Sequence, residues 1–175
     1  MTTEAPLPSP VPLDKSHDLS AFDCGAPALN DYLHKYAWQN HQNRSARTYV
    51  TTREHRVVGY YTLAAGSVRR EDTPPRVAKG QANYPVPIIL LARLAVDRSE
   101  QGKGLGAALL KDALLRAAQA ADIVGCRAVL VHAKDQHAQA FYRKYGFEPS
   151  PVDELHLYLL MKDIKANQGS SQGEP

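Results

Sequence analysis

Residues 101–106 read QGKGLG, and no other stretch limits this chain's possible folds so strongly. An apolar run of strand length, IILLARLAV at 88–96, precedes the three glycines, and a long helical pattern follows them. The order is therefore strand, glycine loop, helix. Backbone N–H groups at a helix N-terminus are donors with no partner inside the helix, and they sit at the positive end of its dipole. Glycines let an anion reach those donors without a Cβ in the way. The loop is thus built for a phosphate, and a pyrophosphate is its natural guest.

Two familiar phosphate loops do not fit. A nucleotide-hydrolase loop needs Ser or Thr after its Lys for magnesium, and here Gly104 follows Lys103. GKGLGA does match the letters of a dinucleotide-binding turn. However, DRSEQ separates the strand from the first glycine, and the next strand closes on VHA instead of an acid. Asp135 comes only after Lys134, too late for the ribose contact of that fold.

The length of 175 residues suits one domain with a full core. Three segments are expected: a loose Pro-rich arm over 1–11, a folded domain over 12–165 and a disordered tail over 166–175. The arm has no apolar stretch typical of a secretion signal, and no apolar run reaches membrane-spanning length, so no membrane contact is expected. Cys24 and Cys126 match neither a disulfide framework nor a metal site. They read as small buried residues in a reducing, cytoplasmic setting. The seven histidines show no ligand spacing, so no metal is expected. Net charge is +3, with Lys, Arg and His concentrated between Lys35 and Lys103. Such a face suits a polyanion, although a solvated basic surface would look the same from charge alone.

Apolar spacing at Leu29, Tyr32, Leu33, Tyr36 and Ala37 predicts one or two helices over 26–42, with Tyr36 and Trp38 in the helix core. Two strand-like runs follow at 46–52 and 56–68, separated by the turn REHR. A loop with four prolines leads to the 88–96 strand, which should be central and buried on both faces. After the glycines, Ala107, Leu110, Leu114, Ala117, Ala118 and Ala121 share one helical face. CRAVLVHA reads as a buried strand, and DQHAQAFYRKYG as a helix from an Asp135 cap to a Gly146 stop. LHLYLLMKDI reads as a closing strand. The order predicts a three-layer α/β domain, with a mixed, mostly antiparallel sheet and helices on both faces. Arg93 lies inside an apolar strand, where a lone charge is costly, so a carboxylate or phosphate partner is expected.

LARLAVDRSEQGKGLGAALL resembles the acetyl-CoA loop of the GCN5-related N-acetyltransferases: Gln101, two residues, Gly104, one residue, Gly106. A second element of that family follows about 30 residues later as Asp135, Ala138, Tyr142, Gly146 and Phe147. The chain departs from the pattern at Asp135, where the family more often has Asn; an ionised carboxylate can only accept hydrogen bonds. FDCGAPALNDYL, ARTYV and VVGYYTLAAGSV, with the loop, further resemble the family's toxin branch.

The resemblance implies an acetyl-CoA-dependent N-acetyltransferase that acetylates the amino group of aminoacyl-tRNA and so blocks translation. A ribbon-helix-helix antitoxin would hold it silent, and it would form a homodimer. Acetylation of a small amine or a protein N-terminus is the alternative activity, and a non-enzymatic acyl-CoA-binding module the alternative class. The resemblance assigns acetyl-CoA to Leu94, Ala95, Val96, Gln101, Gly102, Lys103, Gly104, Leu105, Gly106 and Asp135. It assigns the proton for the departing thiolate to Tyr142, with Tyr145 as a rival one helical step away. The basic residues Lys35, Arg44, Arg47 and Arg93 would meet the tRNA.

Overall fold

The structure is a computed structural model that describes residues 5–81 and 85–171. The first four residues of the expected arm, the last four of the expected tail and part of the Pro-rich loop lie outside the described residues. Two compact units form: Met1–Leu63 with Arg93–Asp112, and Ala64–Ala92 with Ala113–Pro175.

In the first unit, strand β1 (Val11–Pro12) pairs antiparallel with β2 (Arg47–Arg53), and β2 with β3 (Arg56–Val68). The hairpin turn consists of Glu54 and His55, both in the left-handed region at φ 53° and 69°. Two consecutive positive φ values match the twist of the flanking strands, although Asn-Gly is the commoner choice there. The arm is held along β2: Thr51 Oγ1 donates to the Pro8 carbonyl at 2.8 Å and Arg53 Nη1 to the Ala5 carbonyl at 3.1 Å.

The predicted helix over 26–42 forms as α1 (Pro27–Asp31) and α2 (Ala37–Asn43), joined by a π-helical turn at Tyr32–Tyr36. The wider turn carries one extra residue, so the buried face runs through Tyr32, Leu33, Ala37 and His41. Tyr36, expected in the core, is displaced to solvent and is 55% exposed. Trp38 is half-buried, packing against the cluster of Leu13, Phe22, Leu33, Val50, Val57 and Tyr60.

In the second unit, a short helix α3 (Pro75–Ala78) lies within the Pro-rich segment, and strand β4 (Val86–Val96), whose residues from Arg93 on belong to the first unit, starts two residues before the predicted 88–96. From Ile88 to Leu91 it pairs parallel with β5 (Ala128–His132). β5 pairs antiparallel with β7 (His156–Leu160), which pairs with β6 (Glu148–Pro149). The sheet order is β1-β2-β3-β4-β5-β7-β6, with a parallel step at β4–β5. β4 is central, as expected, but each of its faces is buried over only part of its length. Leu90, Ala92, Arg93 and Leu94 stay partly exposed while Val86, Ile88, Leu91 and Ala95 are buried. By strand alternation Val86 and Ile88 fall on one face and Leu91 and Ala95 on the other, so the covered face changes along the strand.

Helix α4 (Leu105–Ile123) follows the glycines, and α5 (Gln136–Lys144) follows its Asp135 cap. The buried face of α4 is centred on Leu109, Leu110, Ala113 and Ala117, so the predicted Leu114 and Ala121 sit at its rim. The expected closing strand is strand only to Leu160. From Met161 the chain turns into helix α6 (Met161–Ser171), so residues 166–171, read as tail, are helical. Met161 and Ile164 keep the burial that suggested a strand, but at the i, i+3 spacing of a helix. Among the described residues, no helix is long and apolar enough to cross a membrane.

Candidate active site

The site begins where β4 ends. Asp97 is 5% exposed and collects three donors: the Asp23 N–H at 2.9 Å, the Ser99 N–H at 3.0 Å and the Ser99 hydroxyl at 2.7 Å. Burial alone would raise its pKa. The hydrogen bonds from Asp23 and Ser99, with Arg56 nearby, outweigh that and hold it below the usual carboxylate value. The turn at Asp23 and Cys24 answers with its carbonyls. Arg98 N–H donates to the Asp23 carbonyl at 2.9 Å, and Gln101 Nε2 to the Cys24 carbonyl at 2.9 Å. Gln101 Nε2 also reaches the Val96 carbonyl at 2.9 Å, closing the loop against the strand it leaves.

Glu100 is 3% exposed and accepts from Arg53 Nε at 2.7 Å, with Lys103 Nζ 3.5 Å away. The Arg53 hydrogen bond lowers the Glu100 pKa, so the carboxylate stays charged and steadies Lys103 beside the glycines. Gly102 and Gly104 take φ +78° and +86°, and a Cβ at either would meet nothing within 4 Å. Neither glycine is there to avoid a protein neighbour. Each supplies a left-handed backbone facing open space, which a pyrophosphate fits. The first acceptor of the α4 ladder is the Gly104 carbonyl, taken by Ala108 N–H. The N–H groups of the preceding residues have no acceptor within the helix.

Helix α4 is aimed by Gly59 of β3. A Cβ there would stand 3.1 Å from both Leu105 Cδ2 and Leu109 Cδ1. Sequence reasoning missed Gly59, Asp97, Asp23 and the Arg53–Glu100 pair. A glycine inside a strand pattern does signal close approach, and Gly59 could have been flagged by it. The acids carried no such signal: the contacts that tie them into the site, Asp23 N–H on Asp97 and Arg53 on Glu100, come from residues 74 and 47 positions away.

The first unit therefore brings together Val96, Gln101, Gly102, Lys103, Gly104, Leu105 and Gly106, with Leu94 and Ala95 on the same strand. Lys35, Arg44, Arg47 and Arg93 belong to this unit as well. Lys35 is exposed, 3.5 Å from Asp31, and Arg44 ends α2 at φ 65°. Arg47 Nη1 donates to the His41 carbonyl at 2.9 Å, and Arg93 lies 3.7 Å over the Tyr32 ring centroid. The carboxylate or phosphate expected for Arg93 is replaced, inside the protein, by an aromatic face. His41 is buried, with Nδ1 accepting from Thr48 N–H at 3.0 Å. Burial, then Arg47 and Arg44, lower its pKa, and it stays neutral.

Asp135 and Tyr142 belong to the second unit. The Asp135 carboxylate accepts from Ala138 N–H at 2.8 Å, so its departure from Asn costs the helix no cap. Tyr142 is 8% exposed, packed edge-on to Phe147 and Phe141 at ring distances of 5.5 and 5.2 Å. Its hydroxyl bonds to no described residue, yet no fully enclosed side-chain oxygen among the described residues lacks a partner. The ring is therefore buried while the hydroxyl reaches open space. Burial pushes its pKa up to about 12, so it holds its proton at neutral pH. Tyr145 is 36% exposed beside Lys144 and Phe141, a boundary aromatic. Cys24 and Cys126 are free and only half-buried, and among the described residues no group of three His, Cys, Asp or Glu could hold a metal ion.

A mixed sheet with a glycine loop leading into a long helix fits a transferase that uses an acyl-CoA, and comparison with known proteins agrees. The chain belongs to the GCN5-related N-acetyltransferase family: the family model described as an acetyltransferase (GNAT) domain matches residues 44–149. It is accordingly an acetyl-CoA-dependent N-acetyltransferase. It is 52% identical over 158 residues to the tRNA-acetylating toxin of Mycobacterium tuberculosis strain H37Rv, covering 90% of this chain and 95% of that protein. A probable toxin TacT of Sinorhizobium fredii is 30% identical, covering 90% and 93%. The solved structure of AtaT complexed with acetyl-methionyl-tRNAfMet superposes with a TM-score of 0.83 at 34% identity, covering 90% of this chain and 97% of that one. A Tyr→Phe mutant of AtaT, bound to the C-terminus of the antitoxin AtaR and to acetyl-CoA, gives a TM-score of 0.79 at 32% identity, covering 93% and 97%.

Proposed function

We propose that this chain is the toxin of a toxin–antitoxin pair, transferring acetyl from acetyl-CoA to the amino group of aminoacyl-tRNA and so blocking translation. The 52% identity to a tRNA-acetylating toxin, across nine-tenths of both chains, carries this reading. Acetyl-CoA supplies an activated acetyl group on a thioester when bound. The N–H groups of Gly102, Lys103, Gly104, Leu105 and Gly106 would hold its pyrophosphate, with Lys103 adding charge. Backbone N–H groups of Leu94, Ala95 and Val96 would bind the oxyanion. Tyr142, protonated at neutral pH, would give its proton to the departing sulfur.

An α-amino group with a reference pKa of about 7.7–8.0 has an appreciable neutral fraction near neutral pH, so no strong base is needed. A ribbon-helix-helix antitoxin, a homodimeric assembly and a cytoplasmic location complete the proposal. The test incubates the protein with labelled acetyl-CoA and total charged tRNA. Label should appear on the aminoacyl group and be released by base hydrolysis of the ester. Label confined to small amines or protein N-termini would overturn the tRNA reading and leave the acetyltransferase intact.

A further inference from the structure

We propose that Tyr36 is a stacking platform for the single-stranded 3′ end of the tRNA, with Arg93 holding a backbone phosphate behind it. This inference rests on the tRNA reading above. The starting point is the π-helical turn at Tyr32–Tyr36, where Ala37 N–H reaches back five residues to the Tyr32 carbonyl. Such turns are rare, occur mostly as single turns inside α-helices and are frequent at functional sites. Here the extra residue has one plain consequence: Tyr36 leaves the core face and is 55% exposed.

The exposed ring does not stand alone. Its centroid is 6.4 Å from that of Tyr32, with planes 32° apart, and the Arg93 guanidinium lies 3.7 Å over the Tyr32 ring. Tyr32 thus links the Arg93 guanidinium, one residue before Leu94 on β4, to the exposed Tyr36 ring. Tyr32 in the middle is 5% exposed, and Asn40 Nδ2 approaches its hydroxyl at 3.4 Å.

Arg93 is half-buried, and among the described residues no carboxylate pairs with it and no carbonyl accepts from it. A guanidinium carries five donors in a planar fork that matches a phosphate. Among the described residues no fully enclosed side-chain nitrogen lacks a partner, so these donors reach solvent, where a ligand that brings oxygens can take them. Beside Tyr36, His34 and Lys35 are exposed, which suits a polyanion better than an apolar protein surface. An exposed aromatic needs an unstacked base, and duplex RNA offers none along its length, whereas a single-stranded end does.

The test uses the full chain, charged tRNA, and uncharged tRNA carrying 2-aminopurine at its 3′-terminal adenine. Tyr36→Ala should raise KM for charged tRNA by roughly 5–150-fold, the span for loss of one base–aromatic stack. Its kcat, acetyl-CoA affinity and melting curve should stay parental, and Tyr36→Trp should keep a low KM. The parent should quench the 2-aminopurine fluorescence, and Tyr36→Ala should not. An active parent with Tyr36→Ala at parental KM, or one that leaves the probe bright, overturns this inference alone. A parent that leaves charged tRNA unacetylated overturns the substrate reading and this inference with it.

Discussion

Tyr142 joins two properties that rarely meet in one side chain: a ring enclosed by Phe141 and Phe147, and a hydroxyl free of protein partners among the described residues. Removing that oxygen as Tyr142→Phe should leave packing and acetyl-CoA binding intact. Acetylation should slow by about 10²–10⁴-fold, the usual loss for a general acid. Tyr145→Phe should keep most activity; the reverse pattern in a steady-state assay would assign the proton to Tyr145. The raised pKa carries a sign that can be checked. The folded state keeps the Tyr142 proton up to about pH 12, whereas an unfolded tyrosine loses it near 10. Its contribution is fully present below about pH 10 and is lost as pH rises towards about 12, on the order of 2–3 kcal/mol. Tyr158 is raised similarly, so the informative quantity is a difference. Between about pH 10 and 12 the parent should lose more stability than Tyr142→Phe.

At the scale of elements, the loop between β4 and α4 was the most legible part of the sequence, because glycine spacing and helical period are both local signals. Its supports were not legible. Asp97 reads as an ordinary loop acid until Asp23 N–H, 74 positions away, is placed on its carboxylate. The π-helical turn also escaped, because Leu29, Tyr32, Leu33, Tyr36 and Ala37 fit an unbroken α-helix. The closing strand was misread after Leu160, since a short apolar run such as LHLYLLM fits strand or helix equally well. Gly104 tests the loop itself. Gly104→Ala meets no neighbour, so its penalty is the left-handed backbone alone, about 1–2 kcal/mol. Gly104→Asp adds a carboxylate where the pyrophosphate is proposed to bind and should abolish acetyl-CoA binding in a calorimeter while the protein stays folded. Unchanged affinity in folded Gly104→Asp would remove the loop from the cofactor site.

At the scale of the whole molecule, the question is whether the excess of basic residues is a binding face or solvated surface, and salt dependence separates the two. Each phosphate contact that releases a counterion adds about 0.7–0.9 to the slope of log K against log salt. Lys35 and Arg44 suit the test because their charges can be removed at little cost to the fold. Lys35 loses only an exposed pairing with Asp31, a kind of contact typically worth less than about 1 kcal/mol. Arg44 sits at φ 65°, where Asn is tolerated far better than most residues, so Arg44→Asn removes charge without added strain. Arg47 is a poorer choice, since its bond to the His41 carbonyl ties β2 to α2. The double variant Lys35→Gln, Arg44→Asn should bind charged tRNA more weakly, with a salt slope shallower by roughly 1–2. Its acetyl-CoA affinity should equal the parent's, because neither residue belongs to the glycine loop proposed to hold the cofactor. Parallel slopes for parent and variant across a salt titration would mean that these two charges face water and that the RNA lies on another surface.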